Sequence, residues 1–361
     1  MNSWRDNVRK VEPYTPGEQP KEEGVIKLNT NENPYSPSDK IKEAMSGIKN
    51  LRKYPDPAAT KLVEAIASYH GFDKEEVFVG VGSDDVLAVA FMTFFNGKKP
   101  IFFPDITYSF YPVWAELFGI PYEKKAVNDA FEIQKEDYYA ENGGVVFPNP
   151  NAPTGAFLSL EVVEDIIQHN QDVVVIVDEA YIDFGGDTAK ELTRKYDNVL
   201  VVQTYSKSRS LAGLRIGYAI GNKELIKAMN DVKYSYNSYT MNEPSIVLGT
   251  AVLEDEEYFQ ETRNKIIDTR EWFQIEMRKI GFSFADSKAN FIFATHESVP
   301  AKEIFEAAKK AKIYVRYFDQ PRINNYLRIT IGTRDEMETL LDFLKEFTAC
   351  LLYTSPSPRD S

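Results

Sequence analysis

Residues 199–221 read VLVVQTYSKSRSLAGLRIGYAIG, and both fold and chemistry turn on this stretch. It opens with the β-branched residues Val199, Val201 and Val202, the composition of a buried strand, then breaks into a polar loop holding Ser206, Lys207 and Ser208. Arg215 follows eight positions after Lys207, among the small residues Ala212, Gly213 and Gly217, where backbone can pass close to a ligand. A lysine at the end of a buried strand, with hydroxyls beside it and an arginine near, suits either a phosphorylated ligand or a Schiff base with a carbonyl. A solvated loop lysine is the plain alternative. What decides is the company the rest of the chain gives it.

Two segments upstream share the plan. Residues 143–155, GGVVFPNPNAPTG, read as a strand ending in a Pro/Asn loop with Asn151. Residues 172–184, DVVVIVDEAYIDF, read as an apolar strand ending in Asp178 and Glu179, with Tyr181 just beyond. The intervals are 178 − 151 = 27 and 207 − 178 = 29, each one strand-plus-helix unit. Between them, Val162, Val163, Ile166 and Ile167 recur at helical spacing behind Ser159, a natural cap. Continuous apolar strands alternating with helices imply an α/β fold with a largely parallel sheet covered on both faces. Ligands of such sheets bind at the carboxyl ends of the strands. Asn151, Asp178, Tyr181 and Lys207 should therefore project into one site.

Further out, the segment EEVFVGVGSDDVLAVAFMTFF changes from strand to helix at Gly82. The N–H groups at Ser83 and Asp84 can receive an anion there, although capping is the commoner use of such residues. PIFFPDITYSFYPVWAELFG repeats the plan and places Tyr108 on a loop, as core or as an aromatic platform. Residues 1–35 read as an arm whose Asn29, Asn31, Glu32 and Asn33 crowd before Pro34 as in a turn. A large domain is expected over 36–260. A smaller α+β domain follows over 261–348, taking in part of the arm. Residues 349–361 read as a disordered, non-native tail. Arg316 and Arg328 fall inside expected strands of the small domain, where a charge needs an anionic partner, whether ligand or salt bridge.

The net charge of −13 argues against nucleic acid or an anionic membrane as partner. No apolar run approaches the roughly 20 residues needed to span a bilayer, and the N-terminus lacks a signal-peptide core. Cys350 is the single cysteine, and His70, His169 and His296 fall in no metal-ligand spacing. A cytoplasmic enzyme without a metal is the expectation. Neither GxGxxG nor GxxxxGK[ST] occurs to supply a nucleotide loop. One cofactor, pyridoxal 5′-phosphate, accounts for the residues together. It needs a lysine, a carboxylate for its ring nitrogen, donors to its ring oxygen, an aromatic face and a phosphate cradle. Here these are Lys207, Asp178, Asn151 with Tyr181, Tyr108, and the Ser83/Asp84 backbone with Ser206 and Arg215.

The strings LNTNENPY, KYPDP, GSDD, PNPNAPTG, VDEAYIDF, YSKSRSLAGLRIGY and LRITIGTRDE run in one order from about residue 25 to 335. In that order the chain resembles the fold-type-I pyridoxal-phosphate aminotransferases, and among them the histidinol-phosphate aminotransferase family. The resemblance implies a seven-stranded, mostly parallel sheet and transfer of an amino group between L-histidinol phosphate and 2-oxoglutarate. It also implies that Lys207 carries the cofactor and moves the proton, Asp178 meets the pyridinium, Tyr181 the ring oxygen, and Tyr108 stacks on the ring. Tyr54 would reach the cofactor phosphate of a neighbouring subunit in a homodimer. Arg328 and Arg316, with Tyr14 and Asn31, would meet the substrates. One departure stands out: the family often has asparagine immediately before Pro-Thr-Gly, where this chain has Ala152, leaving Asn151 as a neighbouring candidate. The rival implications are an aromatic amino-acid aminotransferase, a phosphothreonine-type decarboxylase, or a non-catalytic effector module.

Overall fold

The computed structural model describes residues 3–49 and 51–354, the last four by backbone alone. The arm contributes one short strand, β1 (Ile26–Lys27). The large sheet follows: β2 (Val77–Gly80), β3 (Ile101–Pro104), β4 (Tyr122–Lys125), β5 (Val145–Pro148), β6 (Val175–Asp178), β7 (Val199–Thr204) and β8 (Gly217–Gly221). Its order is β2-β8-β7-β6-β5-β3-β4. Only β8 among these strands runs against its neighbours; the ladders joining β3 to β7 are parallel. Every residue of β5 to β8 is buried, as continuous apolar runs require of strands covered on both sides.

The covering helices fix which way each strand residue points. On one face Leu87, Phe91, Tyr111 and Met229 pack on Ile176, Leu200, Val202 and Ala219. On the other, Val163, Ile166 and Ile167 of helix Leu160–Gln168 pack on Val175, Val177, Val199 and Val201. Helix Thr60–His70 adds Leu62 and Ile66 against Val77 and Ile220 on that same face, and stops at Gly71 in the left-handed conformation. Ser159 caps helix Leu160–Gln168 by accepting from the Val162 N–H.

The second sheet is antiparallel and holds β9 (Phe282–Phe284), β10 (Phe291–His296), β12 (Arg316–Tyr317) and β13 (Leu327–Thr330) in the order β12-β13-β10-β9. The segment IYVRYF, expected to hold Arg316 within a strand, forms two short strands. Its first part, β11 (Ile313–Tyr314), pairs in parallel with β1, and only Arg316 and Tyr317 join the larger ladder. The arm is thereby tied to the small sheet. The division at residue 260/261 falls inside the unbroken helix Glu256–Lys279, because buried Phe259, Ile266, Phe273 and Met277 keep one side of it packed throughout. The final helix, Arg334–Thr354, runs past residue 348 through the compositional change; residues 355–361 of the expected tail lie outside the described residues.

Candidate active site

A cavity of about 270 Å³ opens where the large sheet's strand ends face the small sheet. Asp178, the last residue of β6, and Lys207, three residues past β7, both line it. Asp178 is 4% exposed. Its Oδ2 accepts from the Tyr111 hydroxyl at 2.8 Å and its Oδ1 from the Ala180 N–H at 3.2 Å. Desolvation pushes its carboxyl up to about 6; those two hydrogen bonds pull against it, and the Asp84 charge adds to it. Burial likewise drives the Tyr111 phenol far above its ordinary range, so it stays a donor. The Lys207 Nζ donates to the Thr30 carbonyl at 3.3 Å and stands 5.7 Å from the Tyr181 ring centre. Its backbone is gripped from the arm, where Asn33 Nδ2 donates to the carbonyls of Lys207 and Ser208 at 3.0 and 3.1 Å.

An anion cradle closes one end. Arg215 reaches from a left-handed backbone position, φ 54°, to within 3.4 Å of Ser206 Oγ and 3.3 Å of Asp84 Oδ2. It lies against Gly82, φ 87°, where any Cβ would come within 2.5 Å of the Arg215 Nη2. Ser83 begins the helix Ser83–Phe94, so free backbone N–H groups face the same space. Asp84 Oδ1 accepts from the Tyr108 hydroxyl at 2.7 Å, which sets that ring at the cavity wall.

At the other end, Arg316 and Arg328 are direct cross-strand partners in the β12–β13 ladder. Like charges placed opposite one another destabilise a sheet. Arg328 donates to the Asn29 carbonyl at 2.9 Å, while its buried Nε has no hydrogen-bond partner. Both guanidinium groups lie near the Phe318 ring, at 5.4 and 5.6 Å. Among the described residues neither is paired with a carboxylate. Tyr14, stacked on Phe110 at 4.2 Å, borders the same end. Asn31 donates from Nδ2 to the Tyr181 hydroxyl at 2.9 Å and accepts from Thr330 at 3.0 Å, so it orients Tyr181.

Two residues of the expected set do not line this chain's cavity: Asn151, expected there, and Tyr54, expected at that of a neighbouring subunit. The Asn151 amide donates to the Ile106 carbonyl and to Thr154 and accepts from Thr107, which consumes the side chain in holding two loops together. Tyr54 is 82% exposed and outside the cavity, in ring contact with Tyr239 at 4.8 Å. A larger hollow of about 590 Å³ lies between helices Thr60–His70 and Lys223–Tyr236. Its lysines 74, 223 and 227 are already paired with Glu64, Asp73 and Asp231, and it holds no strand-end chemistry. Among the described residues no cluster of His, Cys, Asp and Glu could hold a metal.

A primary amine, a buried acid without a cation, an aromatic wall and an anion cradle make a donor set for a phosphorylated carbonyl cofactor with a basic ring nitrogen. The family model described as aminotransferase class I and II matches residues 23–344. The chain belongs to the class I and II aminotransferases. It is 51% identical over 344 residues to the histidinol-phosphate aminotransferase of Clostridium beijerinckii, covering 95% of this chain and 96% of that one. To the histidinol-phosphate aminotransferase of Lactococcus lactis subsp. cremoris it is 50% identical over 347 residues, covering 96% and 98%. The solved histidinol-phosphate aminotransferase of Sinorhizobium meliloti, in complex with pyridoxal-5′-phosphate, matches with a TM-score of 0.83 over 90% of this chain and 91% of that one. At 22% identity that likeness speaks to the fold.

Three residues of this aminotransferase escaped the reading of its sequence. Tyr111 sits one helical turn past Tyr108 in an aromatic run and reads as core; only the fold shows its hydroxyl on Asp178. Asn33 and Thr30 belong to the polar cluster of the arm, whose contacts to residue 207 span some 175 positions of chain.

Proposed function

We propose that this aminotransferase moves an amino group between L-histidinol phosphate and 2-oxoglutarate, giving imidazole-acetol phosphate and glutamate, with pyridoxal 5′-phosphate as cofactor. A cytoplasmic place in histidine biosynthesis belongs to the same proposal. The observation that carries it is the arginine pair: Arg316 and Arg328 are forced opposite one another in a ladder, across the cavity from Lys207 and Asp178. An anionic substrate end supplies the countercharge this pair lacks, a phosphate in one half-reaction and a carboxylate in the other.

When bound, the cofactor supplies an aldehyde carbon that takes up the amino group and a ring that draws electrons from the substrate carbon. Lys207 would hold that aldehyde and then, as a free amine, carry the proton to and from the reacting carbon. Asp178 would hold a proton at the ring nitrogen. A carboxylate raised to about 6 by desolvation gains from a cation placed against it, and Tyr111 keeps its second oxygen aimed. Tyr108 would cover one side of the ring, and Tyr181, oriented by Asn31, would face the ring oxygen. Ser206, Arg215 and the N–H groups at Ser83 and Asp84 would take the phosphate. A homodimer is part of the proposal, since Tyr54 and Tyr239 form an outward aromatic pair that a second copy would cover.

The test is an absorbance spectrum of the purified protein followed by titration with histidinol phosphate. Bleaching of the cofactor band, reversed by 2-oxoglutarate, is expected. Carbon dioxide release from phosphothreonine, or response to phenylalanine with none to histidinol phosphate, would overturn the substrate assignment.

A further inference from the structure

On the face of the large sheet away from Tyr111, a second acid has no part in the chemistry above. Glu179 is 1% exposed, next in sequence to Asp178. Its Oε1 accepts from the Ala189 N–H at 2.6 Å; its Oε2 accepts from Thr188 Oγ1 at 2.6 Å and from Gln203 Nε2 at 2.7 Å. Beyond Gln203 the contacts continue: its Oε1 to the Tyr218 hydroxyl, that hydroxyl to His70 Nε2 at 2.8 Å, and His70 Nδ1 to Lys190 Nζ at 3.3 Å.

The direction of every bond follows from the carboxylate. Three donors converge on its two oxygens, and once ionised, above the value of about 7 to which desolvation raises it, Glu179 can only accept, so the Gln203 amide must turn its N–H₂ toward it and its oxygen toward Tyr218. Tyr218 must then donate to Gln203, so His70 must carry its hydrogen on Nε2. That leaves Nδ1 bare to accept from the Lys190 ammonium. Burial above all, then the charges of Lys190 and Arg209, oppose protonation of His70 and hold it near 3, while the Asp183 charge acts on Glu179. The chain ties helix Thr60–His70, β8, β7 and the Ala189–Arg194 segment to the residue following β6. There the Glu179 N–H also bonds the Val202 carbonyl at 2.7 Å. A buried charge is costly, and a packed apolar residue would serve stability as well. What the acid adds is one unique arrangement of the strand ends.

We propose that Glu179 is a positioning residue whose carboxylate orients a single hydrogen-bond chain through Gln203, Tyr218 and His70 to Lys190, and that this chain fixes Asp178 and Lys207 relative to one another. The proposal rests on reading the cavity as a pyridoxal-phosphate site.

The test is a swap. Glu179→Gln sets amide against amide and breaks the polarity. In the double variant Glu179→Gln/Gln203→Glu, residue 203 becomes the acceptor for both Tyr218 and residue 179, so the polarity returns. The single variant should lose about tenfold or more in kcat with KM nearly unchanged, and the pH midpoint of its bound-cofactor absorbance should move. The double variant should recover to within about threefold of the parent. A single variant with parental kcat and midpoint overturns the proposal. So does a double variant no better than the single when both melt at the parental temperature. Should Glu179→Gln fail to fold, Tyr218→Phe interrupts the same chain and leaves the carboxylate in place. It should shift kcat and midpoint in the same sense, and parental behaviour there refutes the idea. A parent protein with no cofactor band fails the cofactor reading; a parent with the band, matched by an unaltered Glu179→Gln, fails this one.

Discussion

Asp178 and Lys207 stand on one wall of the cavity, each held by hydrogen bonds to protein, whereas Arg316 and Arg328 stand on the other as opposed like charges. The strand-end wall is fastened from three directions, by Tyr111 beneath Asp178, Thr30 at the lysine Nζ and Asn33 at its backbone. The small-sheet wall leaves a buried guanidinium nitrogen without a hydrogen-bond partner, and on the proposed function an anion would complete it. On the proposed function, the first arrangement would be prepared in advance for one reaction, and the second would select what takes part in it. Damage to the first should appear in turnover, and damage to the second in affinity.

The contrast breaks most visibly at Lys207. Lys207→Ala should remove the covalent cofactor band and lower turnover by about a thousandfold or more. Asp178→Asn should lose a similar factor in kcat while still binding substrate. Either variant turning over at the parental rate, in a stopped assay with histidinol phosphate, would undo the assignment of that wall. Next in size is Arg328→Ala, for which KM should rise about a hundredfold, some 2–3 kcal/mol, with the cofactor spectrum unchanged. Arg328→Lys should recover only part of this, since a point charge cannot grip an anion in two places. A fall in kcat at constant KM would place Arg328 on the wrong wall.

How far the sequence reveals each wall follows from the same difference. The strand-end wall is legible because buried parallel strands write themselves as apolar runs, and their last residues are marked by the sudden change to polar. Asp178 and Lys207 stand at such changes, and the intervals between the strands put them in phase. Tyr111 is illegible for the opposite reason: on a helix among aromatics its ring is core, and only the position of its hydroxyl makes it part of the site. Arg316 and Arg328 are visible as charges within strands, but their pairing depends on register across a loop. Asn151 misleads because a strand-end amide can serve the loops as readily as a ligand. Here three hydrogen bonds to the 106–107 and 154 loops consume it.

Protons offer a third, smaller probe of the strand-end wall in the cofactor-free protein. Desolvation raises Asp178 from 3.8 to about 6 and Glu179 from 4.5 to about 7. The folded state then binds more protons than the unfolded chain between about pH 4 and 7. Their contribution to stability is full below the unfolded values and is lost as pH rises through 6 to 7. His70 works against them: lowered from 6.5 to about 3, its contribution is present above 6.5 and lost as pH falls toward 3. His70→Gln removes the opposing member. Thermal melts from pH 4 to 8 should show its stability maximum displaced to lower pH relative to the parent, and an unmoved maximum would contradict these protonation states. Adding cofactor should flatten the Asp178 share, because a ring cation restores the charged carboxylate.

The smallest effect belongs to the other wall and carries the opposite sign to most substitutions. If Arg316 and Arg328 repel across the ladder, Arg316→Gln should stabilise the protein in buffer free of multivalent anions, by about 0.2–1 kcal/mol. Inorganic phosphate should reverse the order. It binds the parent between two guanidinium groups and raises its melting temperature with concentration, by mass action on the folded state, while the variant holds only one arginine and should respond weakly. Increasing sodium chloride at constant phosphate should shrink the difference in part, because the pair is half-buried and incompletely screened. A variant less stable than the parent in every buffer would mean that Arg316 is held by contacts within the small sheet. The two walls would then be equally finished before substrate arrives.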